Sequence, residues 1–212
     1  MPKLVYFNVQ GRGQAARYML THAGVEFEDH RISFEDWGAA KQNKTYGEAT
    51  GLPVYIGDDG VMRNQQNAIL QYLGEKHGRA PANDEEHYEM LWYYETDADN
   101  AAKKEAMPAL FREEAPPEAI DLYIEGATKF IQALNTRWAD GREHAAGASI
   151  TCADYSLLVK WTGVWGNPNG KNPAVRERMA GVVESAVNVK RVLDNIKAPL
   201  QECINNLPVT TL

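Results

Sequence analysis

The first third of the chain combines short β-rich stretches with one helical stretch. The stretch Lys3–Phe7 is rich in aliphatic and aromatic residues and predicts a strand, whereas the Ala- and Leu-containing stretch 11–23 predicts a helix. Gly24 can end this helix as a C-terminal cap, and a second short strand is predicted at 25–32. The order of strand, helix and strand indicates a βαβ unit.

Two more predicted strands follow and are joined by a turn. Residues 52–56 and 61–63 flank an Asp-Asp-Gly sequence at 58–60, which is typical of a hairpin turn. Residues 67–73 return to helical spacing, and the glycines between 74 and 78 are expected to end that helix. The hydrophobic pattern therefore predicts a βαβ unit followed by a ββα unit.

The pattern changes near residue 77, where a polar, proline-containing stretch has little to bury and indicates a linker. Strand signals almost vanish beyond it. Helical composition and spacing, with Gly and Pro in the gaps, are found at 85–105, 117–140, 153–165 and 173–197. We predict an α/β domain at 1–76, a linker at 77–85 and an all-helical domain at 86–212.

The composition indicates a chain that can form its own hydrophobic core, and it excludes some classes of binding partner. The chain has 212 residues, of which 44% are hydrophobic, and a chain of this length buries about 70% of its unfolded surface on folding. It can therefore form a hydrophobic core without disulfides. Its 22 basic and 29 acidic residues give a net charge of -7. The chain therefore lacks the overall positive charge that is typical of nucleic-acid-binding proteins. No apolar run approaches the ~18 residues of a membrane span, and the N-terminus shows no export-signal pattern. We expect a cytoplasmic protein without nucleic-acid or membrane partners.

Several conspicuous residues have structural rather than chemical interpretations. Cys152 and Cys203 lie far apart without a CxxC pattern, and the five histidines lack metal-ligand spacing, so we expect no metal site and no redox dithiol. Thr151 and Asp154 form a TxxD capping box preceded by the apolar Ile150, which marks the start of a helix. Loss of such a threonine cap typically costs about 1 kcal/mol of stability.

The glycine-rich sequence at 11–16 satisfies the GxGxxA fingerprint of dinucleotide-binding domains, because it lies between a predicted strand and a predicted helix. Such a domain needs further parallel βα units, whereas this chain continues with a hairpin. The residues that follow the glycines also provide no acidic anchor for a ribose. A nucleotide site is therefore not expected here.

Two further motifs each allow a structural and a binding interpretation. Pro53 follows Leu52 at the start of a predicted strand, where it is either an ordinary strand-entry proline or a cis-proline that presents the Leu52 backbone to an extended, peptide-like ligand. The polar cluster at 64–67 opens a predicted helix. It either caps the helix or offers hydrogen-bond donors to the headgroup of an amino-acid-like ligand.

Five segments of the sequence together resemble those of a known family: residues 6–13 (Tyr-Phe-Asn-Val-Gln-Gly-Arg-Gly), Trp37 with Lys41, Leu52 with Pro53, residues 65–69 and residues 149–154. The chain is similar in these segments to the cytosolic glutathione transferases. The resemblance runs in order over nearly the whole chain, and it is greatest to the sigma class, with the mu and pi classes next.

The resemblance implies a thioredoxin-like domain that binds glutathione, an all-helical domain that completes an apolar substrate pocket, and a two-fold homodimer. Tyr6 matches the catalytic tyrosine of the family, and Arg12 matches an arginine that supports it. The remaining matches are Trp37 and Lys41 for the glycyl part of glutathione, Leu52 and Pro53 for the cysteinyl backbone, Gln65 and Gln66 for the γ-glutamyl part, and Asp99 for the glutathione of the other subunit.

The chain departs from the family pattern at several positions. Gln10 replaces the usual arginine, Gln66 the usual serine, and Gly51 a usual glutamine or lysine, while the loop 41–51 is longer than in close relatives. The stretch 100–107 lacks the aromatic residues that line the pocket of prostaglandin-synthesising relatives. The resemblance therefore supports the glutathione contacts at Gln66 and in this loop less strongly than those at Tyr6 or Pro53, and the missing aromatic residues weaken a specific prostaglandin assignment.

The implied chemistry is stabilisation of the glutathione thiolate by a hydrogen bond from the Tyr6 hydroxyl, with the Arg12 guanidinium as electrostatic support. By spacing alone, Tyr6 would instead be interpreted as a strand aromatic packed in the core. The expected function is conjugation of glutathione to small hydrophobic electrophiles, with peroxide reduction or isomerisation as further activities to test. The alternative is a non-catalytic member of the fold that carries ligands or serves as a crystallin-like structural protein.

Overall fold

The computed structural model of the protein describes residues 1–98, 101–110, 112 and 114–207. The chain divides into two compact units, Met1–Ala80 and Pro81–Leu212, which we call the sheet unit and the helical unit. The predicted fold class is confirmed, because the first unit contains a four-stranded mixed sheet with helices and the second contains helices. No helix among the described residues has the length and apolar character that crossing a membrane would require.

The sheet unit follows the predicted βαβ and ββα order around a central strand. Its elements are β1 (Lys3–Phe7), α1 (Gln14–His22), β2 (Glu28–Ile32), α2 (Phe34–Gln42), β3 (Val54–Ile56), β4 (Met62–Asn64) and α3 (Gln66–Lys76). The strand order is β2-β1-β3-β4. Strand β1 is parallel to β2 and antiparallel to β3, and β4 is antiparallel to β3. The loop after β1 therefore leaves the middle of the sheet.

Local sequence signals explain where α1 ends and where α2 begins in the sheet unit. The helix α1 ends as predicted at Gly24, whose φ of 66° is in the left-handed region and whose N–H donates to Thr21 O. The helix α2 was missed by the sequence-based prediction. Its start is marked by Ser33, whose hydroxyl accepts a 3.0 Å hydrogen bond from the N–H of Asp36. A Ser-x-x-Asp sequence is thus the signal that could have revealed α2.

The helical unit contains seven α-helices within the described residues. They are α4 (Asp84–Ala98), α5 (Ala101–Leu110), α6 (Pro117–Arg137), α7 (Cys152–Lys160), α8 (Pro173–Ser185), α9 (Val187–Lys197) and α10 (Gln201–Asn205). The helix α4 begins inside the predicted linker, so the non-helical connection after α3 covers 77–83. A π-helical turn at Trp161–Trp165 extends α7.

The stretch 173–197, predicted to be helical, contains two helices, α8 and α9, because the chain breaks at Ala186, where ψ is 73°. The break is stabilised by contacts with α6. The N–H of Asn188 donates to Asn135 Oδ1 at 2.9 Å, and Asn188 Nδ2 donates to Asn135 O at 2.8 Å. Such tertiary hydrogen bonds leave no trace in the helical periodicity of the sequence.

The predicted capping box at the start of α7 is confirmed. The Asp154 carboxylate, which is fully buried, accepts hydrogen bonds from the N–H of Thr151 at 2.8 Å and from its hydroxyl at 3.0 Å. The same carboxylate accepts a 2.9 Å bond from the N–H of Ala145. The capping box therefore also fastens part of the non-helical stretch that precedes α7.

A buried carboxylate anchors the end of α6. Glu89, on α4, is only 4% exposed and accepts hydrogen bonds from both Arg137 and Arg142. Arg142 also pairs with Asp140 at 2.7 Å and donates to Ala145 O at 3.4 Å. This cluster, which we call the Glu89 cluster, joins α4 to the chain that follows α6.

Candidate functional site

The hydroxyl of Tyr6 lies in a defined hydrogen-bond geometry at the end of β1. The side chain is 7% exposed, and its Oη accepts a 2.9 Å hydrogen bond from the N–H of Arg12. Burial raises the pKa of Tyr6 above its ordinary value of 10.0, although the bond from Arg12 and the charges of Arg12 and Arg17 act in the opposite direction. The hydroxyl is therefore protonated near neutral pH. Because the bond from Arg12 uses a lone pair of the oxygen, the Tyr6 proton remains available for donation.

Two glycines make room for the Tyr6 side chain. A Cβ atom at Gly11 would lie 2.5 Å from Tyr6 Oη, and one at Gly13 would lie 2.5 Å from Tyr6 Cγ. Real Cβ atoms do not approach other heavy atoms this closely. The glycines at positions 11 and 13, which also match part of a nucleotide fingerprint, thus allow the ring of Tyr6 to pack against the loop backbone.

Arg12 and Arg17 both lie near Tyr6, but they differ in their exposure to solvent. Arg12 is exposed, whereas Arg17 is only 4% exposed and lies 5.7 Å from the centroid of the Tyr6 ring. Burial lowers the pKa of Arg17, and the neighbouring Asp29 carboxylate raises it. The sequence-based search missed Arg17. The available signal was a charged residue in the middle of an otherwise largely apolar helical stretch.

The strand register brings three sequence-predicted site residues to one end of the sheet. Val54 pairs with Val5 on one side and with Asn64 on the other. One residue further along, the same alignment places Tyr6, Pro53 and Gln65 at the same end of three neighbouring strands. These residues are far apart in the sequence, so the register is what assembles them.

The peptide bond between Leu52 and Pro53 is cis, which agrees with the second of the two interpretations above. Leu52 is 9% exposed and belongs, like Tyr6, to a buried cluster against which Trp37 packs. Among the described residues, neither the N–H nor the C=O of Leu52 has a hydrogen-bond partner. Both backbone groups are thus free to bind an extended ligand.

The helix α3 starts with an unusual backbone conformation. Gln65, which caps it, has φ of 69° and ψ of 116°, a region that residues other than glycine rarely adopt and that tends to occur at functional sites. The first intrahelical bond runs from the N–H of Ile69 to Gln65 O at 2.9 Å. The preceding N–H groups at 66–68 therefore have no acceptor within the helix. Such a helix start favours a carboxylate.

The remaining predicted residues lie at the rim of this region or outside the described residues. Trp37 is half-buried and stacks on Tyr46 with ring centroids 6.3 Å apart. Lys41 is exposed one helical turn later on α2, on the same side as Trp37. Lys41 is not among the residues that pack against the buried cluster containing Tyr6. Asp99 lies outside the described residues.

Gln10, which replaces the usual arginine of the resembling family, is 8% exposed. Its Oε1 atom is buried without a hydrogen-bond partner. A buried acceptor of this kind is uncommon in native structures. Gln66 is half-buried and Gly51 is exposed, so the three departures from the family pattern lie in different environments.

Comparison with known proteins gives a consistent result. No protein-family model matches the chain. The chain is 30% identical over 161 residues to glutathione S-transferase P 1 of Xenopus laevis, which covers 73% of each protein. It is 33% identical over 170 residues to glutathione S-transferase 1 of Ascaris suum, covering 75% of this chain and 79% of the relative. The solved structure of the Ascaris lumbricoides glutathione S-transferase superposes with a TM-score of 0.78 and 25% identity, over 99% of this chain and 98% of that one.

Proposed function

The chain belongs to the glutathione S-transferase family and uses glutathione as its co-substrate, and from this premise we propose that Tyr6 activates the glutathione thiol for attack on small apolar electrophiles. The observation that carries the proposal is the hydrogen bond from the Arg12 N–H to Tyr6 Oη at 2.9 Å. This bond orients the hydroxyl and leaves its proton free for the sulfur of glutathione.

The magnitude of one hydrogen bond is sufficient for this task. A free thiol has a pKa of about 8.5 and is only a few per cent ionised near neutral pH. A hydrogen bond to a charged group contributes about 1.5–3 kcal/mol, which corresponds to roughly 1–2 pKa units. Donation from Tyr6 to the thiolate would therefore bring the bound thiol close to half-ionised. The nucleophile belongs to glutathione, so no covalent enzyme intermediate is required.

The Arg12 guanidinium supplies a permanent positive charge next to this hydroxyl. We assign it an electrostatic role, in which it stabilises the thiolate or negative charge that develops on the electrophile. Its exposed position suits a group that faces bound substrate rather than the core.

We assign glutathione binding to the sheet end at which Tyr6, Pro53 and Gln65 meet. The free N–H and C=O of Leu52 would pair with the cysteinyl backbone as an added strand. The helix start at Gln65 and Gln66 would bind the γ-glutamyl carboxylate. Lys41 would provide the positive charge for the glycyl carboxylate, with Trp37 beside it.

The sigma-class assignment, the homodimer, the contribution of Asp99 across its interface and the cytoplasmic location are proposals that rest on the sequence resemblance. Light scattering coupled to size exclusion tests the homodimer directly. In a confirmed dimer, replacement of Asp99 by alanine is expected to weaken glutathione binding, and unchanged affinity would reject this role.

The function is tested by titrating the purified protein with glutathione in a calorimeter and then measuring turnover of a chlorinated nitroaromatic substrate. We expect binding and turnover in the unmodified protein. Tyr6→Phe is expected to lower turnover about 10- to 100-fold, the equivalent of one hydrogen bond to a charged group, with a change in glutathione affinity of less than about threefold. Loss of binding with unchanged turnover would reject the assigned role of Tyr6.

Tyr55→Phe is the matched control for this experiment. Tyr55 is a fully buried tyrosine on β3 of the same sheet, and its hydroxyl has no hydrogen-bond partner. Burial raises its pKa as well. Its replacement is expected to leave turnover unchanged, which separates the position of Tyr6 from the mere presence of a buried phenol.

Binding without turnover in the unmodified protein would favour the alternative of a non-catalytic ligand carrier or structural protein. In that case the same sample is assayed with an organic hydroperoxide and with an isomerisation substrate. Turnover of either one would identify a narrower enzyme, and the absence of all three activities would support the carrier.

A further inference from the structure

We propose that Arg17 is a positioning residue that holds the Tyr6 hydroxyl and its Arg12 donor in the active geometry. This inference rests on the proposed function, because it assigns to Arg17 an effect on the thiol that Tyr6 activates. It concerns a residue that the sequence motifs do not single out.

The guanidinium of Arg17 holds the chain directly after Tyr6. Arg17 projects from α1, and its Nη2 donates to Phe7 O at 3.3 Å, while its Nη1 donates to Val9 O at 3.2 Å. These carbonyls lie on either side of Asn8. One side chain thus fixes two points of the segment in which β1 ends and the loop toward Arg12 begins.

The positive charge of Arg17 is balanced on the opposite side. Its Nε donates to Asp29 Oδ1 at 2.8 Å, and the second oxygen of Asp29 pairs with Arg31 at 2.7 Å. Arg31 in turn donates from Nη1 to Asn8 Oδ1 at 2.7 Å. We call the interactions of Arg17, Asp29, Arg31 and Asn8 the Arg17 network. This network therefore holds the same segment from both its buried and its exposed side.

The segment that Arg17 holds leads into the loop that contains Arg12, whose N–H donates to the Tyr6 hydroxyl. Arg12 follows Asn8 by four residues, and its N–H must remain 2.9 Å from Tyr6 Oη. A loop that is free to shift loses this alignment, because hydrogen bonds weaken steeply with distance and angle. Arg17 also lies 5.7 Å from the Tyr6 ring, so it adds a fixed positive charge beside the phenol.

Arginine is the residue required for this geometry. Its planar fork satisfies the carboxylate and two carbonyls at once, whereas a lysine ammonium carries the same charge without the fork. Arg17→Lys therefore separates positioning from charge. We expect it to raise the pKa of enzyme-bound glutathione by about 0.5–1 unit and to lower kcat/KM below neutral pH about 3- to 10-fold. The affinity for glutathione is expected to change less than about threefold, because Arg17 is not assigned to glutathione binding.

The measurement is an ultraviolet difference titration of the bound thiolate, combined with the pH profile of kcat/KM. Arg63→Lys is the matched control. Arg63 also pairs with a carboxylate in the sheet unit, Asp59, through contacts of 2.7 and 3.2 Å, but it belongs to β4. We expect no change in the thiol pKa for this control.

A double substitution tests whether Arg17 acts through Tyr6. In a Tyr6→Phe background, Arg17→Lys is expected to give no further shift of the thiol pKa, since the hydroxyl that it positions is absent. A full additional shift in that background would overturn the proposal, as would an unchanged thiol pKa accompanied only by a lower melting temperature. If the unmodified protein neither binds nor turns over glutathione, the proposed function and this inference fail together.

Asn8→Ala provides a second variant in case Arg17→Lys does not fold. Asn8 is exposed, and its replacement removes only the hydrogen bond by which Arg31 in the Arg17 network holds the exposed side of the loop. The expected shift has the same direction and is smaller. Asn8→Asp keeps an acceptor for Arg31 and is expected to restore the original thiol pKa; equal behaviour of the two Asn8 variants would count against the proposal.

Discussion

Each of the two units contains a buried charged residue that anchors an ion cluster, Arg17 in the sheet unit and Glu89 in the helical unit, and the two clusters have different tasks. Arg17 in the sheet unit and Glu89 in the helical unit are both only 4% exposed, and each interacts with groups of opposite charge. The difference lies in the hydrogen bonds beyond the ion pairs. Arg17 donates to backbone carbonyls next to Tyr6, whereas Arg142 of the Glu89 cluster donates to Ala145 O in the stretch that precedes α7. Burial and charge alone thus do not distinguish a functional ion cluster from a structural one. The distinction comes from which backbone segment each cluster holds in place.

The strongest test of this distinction is Glu89→Ala. Removing the carboxylate takes one acidic partner from the largely buried Arg142, which keeps its pair with Asp140, and breaking a buried ion pair typically costs about 3–5 kcal/mol. We expect a loss of unfolding free energy near the lower limit, because the side chain of Arg137 is 34% exposed and can be hydrated. Urea unfolding measures the loss. The turnover of the folded protein and the pKa of bound glutathione are expected to remain unchanged.

Asp121→Ala is the control for this comparison, because Asp121 forms an exposed pair with Arg178 on the surface of the helical unit. Its loss is expected to change the free energy of unfolding by less than about 1 kcal/mol. A shift of the glutathione thiol pKa in Glu89→Ala would remove the distinction between the two ion clusters.

A smaller effect is expected from Gly13→Ala, which tests the packing of the Tyr6 ring. The added methyl group would lie 2.5 Å from Tyr6 Cγ, so the ring or the loop must move. We expect a loss of about 1–3 kcal/mol in stability, as for other overpacked sites, together with reduced turnover. Gly181→Ala on α8 is the control, because a Cβ there meets no atom within 4 Å. It is expected to stabilise the protein by about 0.4–1 kcal/mol, and a normal turnover in Gly13→Ala would contradict the assigned packing.

The smallest expected effect is a pH dependence in the helical unit. His144 Nδ1 lies 3.5 Å from Asp154 Oδ1, and this carboxylate raises the pKa of His144 above 6.5, with Glu143 acting in the same direction. Protonated His144 therefore stabilises the fold. This contribution is complete below the unfolded pKa of 6.5 and is lost as the pH rises through the higher folded pKa.

Comparison of the unmodified protein with His144→Asn, at about pH 5.5 and about pH 8.5, measures this contribution, which should not exceed about 1 kcal/mol. The difference in unfolding free energy between the two proteins is expected to be larger at the lower pH. An equal difference at both pH values would exclude the ion pair. The pH profile of turnover is expected to be the same in both proteins.

Features with local causes could be predicted from the sequence. The strand Lys3–Phe7, the Gly24 cap and the Thr151 capping box each depend on a few neighbouring residues, and each is found in the structure. The helix α2 had a local signal at Ser33 that was not used. The break at Ala186 had none, because it depends on hydrogen bonds with Asn135.

The candidate site shows the same division between local and long-range causes. Pro53 and Gln65 could be named from motifs and Tyr6 from the family resemblance, but only the strand register shows that they share one end of the sheet. The roles of Gly13 and Arg17 depend on what packs against them in three dimensions. A glycine and an arginine in a sequence do not reveal the ring or the carbonyls beside them.

The close approach of Gly11 and Gly13 to Tyr6 also has an evolutionary consequence. The hydroxyl and the ring of Tyr6 occupy the space that side chains at these two positions would fill. As long as a tyrosine is inherited at position 6, drift at either glycine is penalised even if the new residue has no chemical conflict with the reaction. A lineage that exchanged this tyrosine for a smaller residue would release both glycines from selection. Substitutions at the three positions are therefore expected to be coupled, because the same space is shared among them.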